Sequence, residues 1–221
     1  MIDTDPAVIL VHGLWHQGAH MGPLADELRN RGFDVHIPTL HRGSLEADTA
    51  AVQEIIDSLP APPLVLGHSY GGAVITGLRG VRSLVYLAAF VPTTEESCAS
   101  LGGALVNDAM RRHPGGGTAV DPSLAGAALY ADADPQTAAW AISLLVPQAS
   151  GHGRGVPARA AWRDVRSRYI VCAEDRAVAP DVQRMLARRC THATEIDADH
   201  SPYISRPGEI AEIVVSELSS S

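Results

Sequence analysis

Short apolar segments alternate with longer amphipathic segments along most of this chain. Continuous apolar runs of strand length are typical of buried strands in a parallel sheet, whereas apolar residues repeated every three or four positions indicate helices. We therefore predict six strands, at residues 7–11, 34–37, 64–67, 83–89, 169–173 and 193–196. Helices are predicted at residues 18–31, 46–59, 71–79, 180–189 and 208–218. This alternation predicts an α/β fold whose six-stranded, mainly parallel sheet carries helices on both faces.

The alternation stops near residue 91 and resumes near residue 164. The segment between is rich in glycine and contains helix-like pieces at residues 98–111, 123–130 and 135–146. We interpret residues 92–163 as a helical cap insertion, and residues 1–91 and 164–221 as the core into which it is inserted.

The strongest chemical signal is the pentapeptide Gly67-His68-Ser69-Tyr70-Gly71, which has the pattern G-x-S-x-G between a predicted strand and a predicted helix. So tight a turn needs small neighbours, and it exposes a serine hydroxyl above the edge of the sheet. The first N–H groups of the following helix then point at the reacting carbonyl. Ser69 is therefore the candidate nucleophile; a glycine-rich turn without a catalytic role is the alternative.

A serine hydroxyl needs a general base, and in this architecture the acid and the histidine follow later in the chain. His200 follows the last predicted strand, and Glu174-Asp175 follows the strand before it. We predict His200 as the base and Asp175 as the acid that orients it, with Glu174 as the rival. Asp199 is predicted to be a hydrogen-bonding loop residue. Among the other histidines, His68 is predicted to pack behind the nucleophile, and His113, His152 and His192 to be solvated.

The loop after the first strand, His12-Gly13-Leu14-Trp15-His16, is expected to supply the second donor of an oxyanion hole. We assign the two donors to the backbone N–H groups of Leu14 and Tyr70. Apolar residues near this edge predict a pocket for a small hydrophobic substrate. The predicted substrate-binding residues are Gly13, Trp15, His16, Phe90, Trp140 and Leu144, with core packing as the alternative for Trp140.

The composition of the chain limits the classes of molecule that it is expected to bind. The 221 residues include 17 basic side chains, all arginine, and 25 acidic ones, which gives a net charge of −8. An acidic chain without a basic block disfavours nucleic acid and anionic membranes. The absence of lysine excludes Schiff-base chemistry and a P-loop. The expected partner is a small-molecule ester, and a homodimer is one option for assembly.

No cofactor or metal is predicted. No G-x-G-x-x-G follows the first strand, so a dinucleotide is not supported. His12, His16 and His20 are spaced four apart, but glycines interrupt the stretch and no single helix could carry all three. Three cysteines without a C-x-x-C pair, together with an N-terminus unlike a secretory signal, predict free thiols in the cytoplasm.

With these residues the chain resembles the α/β-hydrolase superfamily, and in particular the branch of plant methylesterases and hydroxynitrile lyases. The matching stretches are residues 8–13 with Trp15-His16, 67–72, 84–92, 169–175 and 196–200. The resemblance implies ester hydrolysis by a Ser69–His200–Asp175 triad. The lyases carry threonine and lysine where this chain has Gly13 and Ser201, which disfavours cyanide chemistry. A thioesterase, cyclase or lactone-handling enzyme with the same triad, and a ligand-binding protein on this fold, are the alternatives.

Overall fold

The computed structural model describes residues 7–149 and 151–219; the acidic segment at 1–6 and the last two serines lie outside the described residues. The strands are β1 (Val8–Val11), β2 (Val35–His36), β3 (Leu64–His68), β4 (Ser83–Leu87), β5 (Met110–Arg112), β6 (Thr118–Val120), β7 (Ser167–Cys172) and β8 (His192–Ile196). Six of them form one sheet in the order β2-β1-β3-β4-β7-β8, and every adjacent pair is parallel. The predicted parallel α/β sheet is confirmed.

Helices cover both faces of this sheet. They are α1 (Gly22–Asn30), α2 (Leu45–Ser58), α3 (Gly71–Thr76), α4 (Cys98–Leu101), α5 (Pro122–Leu129), α6 (Pro135–Ser143), α7 (Pro180–Ala187), α8 (Pro202–Ser205) and α9 (Pro207–Ser219). Alternate residues of β1 belong to opposite cores, because successive side chains of a strand point to opposite faces. Val8 and Leu10 pack on the side of α1 and α9, and Ile9 and Val11 on the side of α2 and α3.

The insertion differs from the prediction, because it is not wholly helical. The helix expected over residues 98–111 is α4, then a 3-10 turn at Leu105–Ala109, then strand β5. Gly102 and Gly103 separate these pieces with φ values of 71° and 76°, which a continuing right-handed helix does not allow. β5 pairs with β6 in a small antiparallel hairpin. The division into core and cap at residues 92 and 163 stays a prediction.

Smaller differences also have local causes. The predicted helix at 18–31 begins as a 3-10 turn, Gly18–Met21, before α1. The strand predicted to reach residue 89 ends at Leu87, because Ala88 adopts a left-handed backbone with a φ of 46°. The short helix α8 was not predicted. Within the described residues, no helix has the length and apolar character needed to cross a membrane.

The parallel sheet determines where a site can form. The carboxyl ends of β1, β3, β7 and β8 all point to one edge, because their pairs are parallel. The loops that follow these strands therefore meet there, and they carry the residues predicted to be functional.

Candidate active site

Ser69 lies on a sharp turn between β3 and α3. Its backbone has a φ of 54°, in the left-handed region that residues other than glycine rarely adopt. The glycines around it are required by close backbone contacts: a Cβ on Gly67 would lie 2.6 Å from the Gly71 oxygen, and one on Gly71 would lie 2.5 Å from the Val11 oxygen. The turn places Ser69 on the wall of a large cavity.

His200 lines the same cavity, and its other side contacts a buried carboxylate. The Nδ1 atom of His200 lies 2.7 Å from Oδ2 of Asp175. With Nδ1–H donating to Asp175, the Nε2 atom is left as the acceptor that a general base requires. Glu174 is exposed, whereas Asp175 is buried. The structure therefore brings His200 together with Asp175, and not with the rival acid.

Asp175 is held by a network that sequence reasoning missed. Its Oδ1 atom accepts the backbone N–H groups of Ala177 and Val178, at 2.7 and 3.0 Å. Its Oδ2 atom also accepts Nε2–H of Gln183, at 2.6 Å. Gln183 is fully buried on α7, and its Oε1 atom accepts the N–H of Cys172 at the end of β7. A glutamine in an amphipathic helix has no sequence signal for this role.

Two neighbours position the His200 backbone. His68 is fully buried, and its Nε2–H donates to the His200 carbonyl at 2.9 Å. Burial, reinforced by the nearby His200, holds the pKa of His68 well below its usual value. His68 is therefore neutral and packs behind the nucleophile, as predicted. The side chains of Asp199 and Asp132 each accept a hydrogen bond from the other residue's backbone N–H. These two bonds link the loop that carries His200 to the insertion. Asp199 is thus a hydrogen-bonding loop residue, as the sequence predicts.

Leu14 and Tyr70, the residues predicted to supply the oxyanion donors, belong to the wall of the cavity that Ser69 lines. No hydrogen bond in the described part of the chain is donated by either backbone N–H. His16 fixes this loop, since its Nδ1–H donates to the Leu14 carbonyl at 2.8 Å while its Nε2 accepts Tyr130 Oη–H at 2.9 Å. Burial lowers the pKa of His16 well below its usual value, so both hydrogen bonds belong to the neutral ring.

The cavity has a volume of about 880 Å³ and a mostly apolar wall. Core loops and the insertion both contribute to it; among its apolar lining residues are Leu14, Trp15, Phe90, Val106, Met110, Leu129 and Val178. Trp15, His16 and Phe90 line this cavity, and their role in substrate binding stays a prediction.

Three predicted substrate-binding residues do not line this cavity. Gly13 lies behind it, where an added Cβ would be 2.9 Å from the Ser69 Cβ. Trp140 is 38% exposed, because α6 turns Ala141, rather than Trp140, toward the core. Leu144 contacts the core loop through its carbonyl, which accepts Nε2–H of Gln17 at 2.7 Å. The substrate contacts predicted for Trp140 and Leu144 stay predictions, at positions outside the lining of this cavity.

Two polar residues of the insertion line the cavity without having been predicted. Gln148 is buried, and neither its side-chain oxygen nor its nitrogen has a hydrogen-bond partner among the described residues. His152 was expected to be solvated but is buried, because the insertion folds back onto α2. No local pattern marks either residue, since their burial depends on distant parts of the chain.

The histidines that were spaced like metal ligands do not form a ligand group. His20 is occupied on both ring nitrogens, with Nδ1 accepting the Gln17 N–H and Nε2–H donating to the Ala141 carbonyl. Across residues 7–149 and 151–219, the one group of three ligand-type side chains is His41, Asp48 and His152.

Comparisons with known proteins find relatives in sequence and in fold. The carbendazim hydrolyzing esterase of a Nocardioides species is 36% identical over 110 residues, which cover 42% of this chain and 46% of the relative. A pyrethroid hydrolase from Sphingobium faniae has the same fold, with a TM-score of 0.85 at 22% identity over 97% of this chain and 98% of that one.

Polyneuridine aldehyde esterase also shares the fold, with a TM-score of 0.78 at 18% identity over 96% of this chain and 98% of the other. At this identity the likeness shows the shared fold. The family model described as the alpha/beta hydrolase family matches residues 8–213, which include the sheet, the insertion and Ser69, Asp175 and His200. The chain therefore belongs to the alpha/beta hydrolase family.

Proposed function

We propose that this protein is a serine esterase that hydrolyses small, hydrophobic carboxylic esters through an acyl-enzyme intermediate. One observation carries the proposal: Ser69, on its left-handed turn, lines the same cavity as His200, whose Nδ1 is 2.7 Å from the buried Asp175 carboxylate. The esterase and hydrolase names of the relatives support the same reaction class.

The proposed chemistry follows from these positions. Ser69 Oγ attacks the ester carbonyl while His200 Nε2 takes its proton, and Asp175 stabilises the imidazolium that forms. The N–H groups of Leu14 and Tyr70 stabilise the oxyanion. His200 then gives the proton to the departing alcohol. Water, deprotonated by His200, then attacks the acyl-enzyme, and His200 returns this proton to Ser69 Oγ as the carboxylic acid leaves.

The test is hydrolysis of p-nitrophenyl acetate and butyrate by the wild type, Ser69→Ala and Ser143→Ala. Ser143 is an exposed serine on α6 and serves as the matched control. We expect turnover in the wild type and in the control, and none above background in Ser69→Ala. Equal turnover in wild type and Ser69→Ala, or a folded wild type without turnover, would contradict the proposal. Matched ethyl esters and ethyl thioesters then separate an esterase from a thioesterase.

The compartment stays a prediction. Cys98, Cys172 and Cys190 are all free in the structure. Burial raises the pKa of the Cys98 and Cys190 thiols to about 12, so these side chains are unreactive. Unpaired, inert thiols support the reducing cytoplasm expected from the sequence.

A further inference from the structure

We propose that His41, Asp48 and His152 form a binding site for a divalent transition-metal ion of the Zn²⁺ type. The three residues come from separate parts of the chain, namely the loop after β2, the first turn of α2 and the insertion. One nitrogen of each histidine and one carboxylate oxygen lie within 4.8 Å of one another. A mixed imidazole and carboxylate set is the kind that zinc binds in proteins.

In each of the two histidines, one ring nitrogen makes a hydrogen bond to a backbone carbonyl and the other makes no hydrogen bond in the described part of the chain. His41 Nε2–H donates to the His16 carbonyl at 2.9 Å, and its buried Nδ1 has no hydrogen-bond partner among the described residues. His152 Nδ1 lies 3.3 Å from the Ala149 carbonyl, and its buried Nε2, 3.7 Å from Asp48 Oδ2, likewise lacks a hydrogen bond there. Histidines that bind metals typically donate their second N–H to a carbonyl in this way.

Asp48 supplies a fixed negative charge. It is fully buried; its Oδ1 accepts the Arg42 backbone N–H at 2.7 Å, and its Oδ2 accepts Tyr70 Oη–H at 2.9 Å. A buried carboxylate needs a compensating positive charge. Within the described part of the chain, the only ion-pair partner of Asp48 is His152. An ion bound between the three residues would provide this charge.

The location assigns such an ion a structural role. Tyr70 and His152 both line the catalytic cavity, and Tyr70 also supplies a proposed oxyanion donor. An ion at this point would fasten the insertion to α2 and hold one wall of the cavity. The inference is independent of the esterase proposal, because it concerns binding and not turnover.

The experiment is calorimetric titration of the chelator-treated, full-length protein with ZnCl₂, together with thermal unfolding with and without the ion. We expect one equivalent to bind and to raise the Tm. His152→Gln and His41→Gln should each weaken binding at least tenfold and remove the Tm shift. Exposed His192, changed to glutamine, is the matched control and should bind as the wild type does. The visible spectrum of bound Co²⁺ should change in His152→Gln.

Three outcomes would overturn the proposal. The first is a wild type that binds no equivalent of Zn²⁺. The second is binding that persists unchanged in both His41→Gln and His152→Gln. The third is binding lost in His200→Asn but kept in His152→Gln, which would place the ion at the triad. Circular dichroism checks that each variant is folded. Asp48→Asn removes the third proposed ligand and is tested in the same way.

Discussion

The turn that carries Ser69 leaves no room for a side chain on Gly72. A Cβ there would lie 2.3 Å from the Phe90 carbonyl oxygen and 2.8 Å from the Ala89 Cβ. We expect Gly72→Ala to lower the free energy of unfolding by about 3 kcal/mol, because backbone must move to accept the methyl group. Urea unfolding measures this. Gly22→Ala is the control, since a Cβ at Gly22 meets nothing within 4 Å; equal losses in the two variants would contradict the steric argument.

Asp175 and Glu174 are adjacent carboxylates with different surroundings. Asp175 is buried against His200 and Glu174 is exposed. Asp175→Asn should lower kcat about 10⁴-fold, as the equivalent change does in serine proteases, because the amide favours the wrong histidine tautomer. Glu174→Gln should leave kcat unchanged. Steady-state ester hydrolysis checks both variants, and the reverse ranking would show that Glu174 is the acid.

At the scale of single residues, the sequence could predict a place in the candidate site for residues that belong to a motif or follow the end of a strand. Ser69 follows β3 directly, and Asp175 and His200 lie in the loops just after β7 and β8, so a parallel sheet brings them to one edge. The sequence has no such signal for the burial of Gln183, Gln148 or His152. Contacts with distant parts of the chain bury these three side chains, whereas a polar residue in a helix or a loop is usually solvated.

At the scale of elements, α7 holds the acid loop that follows β7. Replacing Gln183 by methionine keeps the volume but removes the Asp175 hydrogen bond and the acceptor of the Cys172 N–H. We expect kcat to fall roughly tenfold to a hundredfold with a smaller change in KM, because the loss is in orienting His200 through Asp175. Separate kcat and KM values test this. Exposed Gln136, changed to methionine on α6, is the control; a comparable kcat loss there would contradict the role.

Strands and helices of the core were predictable because their environment is simple. β1, β3, β4 and β7 are almost entirely buried, so a continuous apolar run identifies them. The insertion was harder, since the β5–β6 hairpin has only three residues a strand and five of its six are exposed or half-buried. Gly102 and Gly103 break the helix pattern by backbone conformation, which apolar spacing does not reveal.

At the scale of the whole molecule, five histidines are held neutral by burial. The pKa values of His12, His16, His20, His41 and His68 all lie below the usual value of 6.5, and that of His12 lies at about 4. The unfolded chain therefore binds more protons than the folded chain below pH 6.5. Stability is present above that pH and is lost as the pH falls from about 6.5 toward about 4.

We expect the free energy of unfolding to fall steeply between pH 7 and pH 5 in urea titrations. Full protonation of His12 alone corresponds to about 3 kcal/mol. His12→Gln should make the dependence shallower, whereas His192→Gln, at an exposed position on β8, should leave its slope as it is. A free energy that stays constant over this range would contradict the prediction, because it would mean that the folded and unfolded chains bind protons equally.

The order of the strands in the chain has a consequence during synthesis. The nucleophile turn and strands β1 to β4 are complete once residue 87 has emerged from the ribosome, whereas Asp175 and His200 follow much later. β7 and β8 add to the sheet beside β4, so they can join a neighbour that already exists. A nascent chain can thus carry the serine well before it carries the base. Under the proposed mechanism, activity would begin only when the last strands dock.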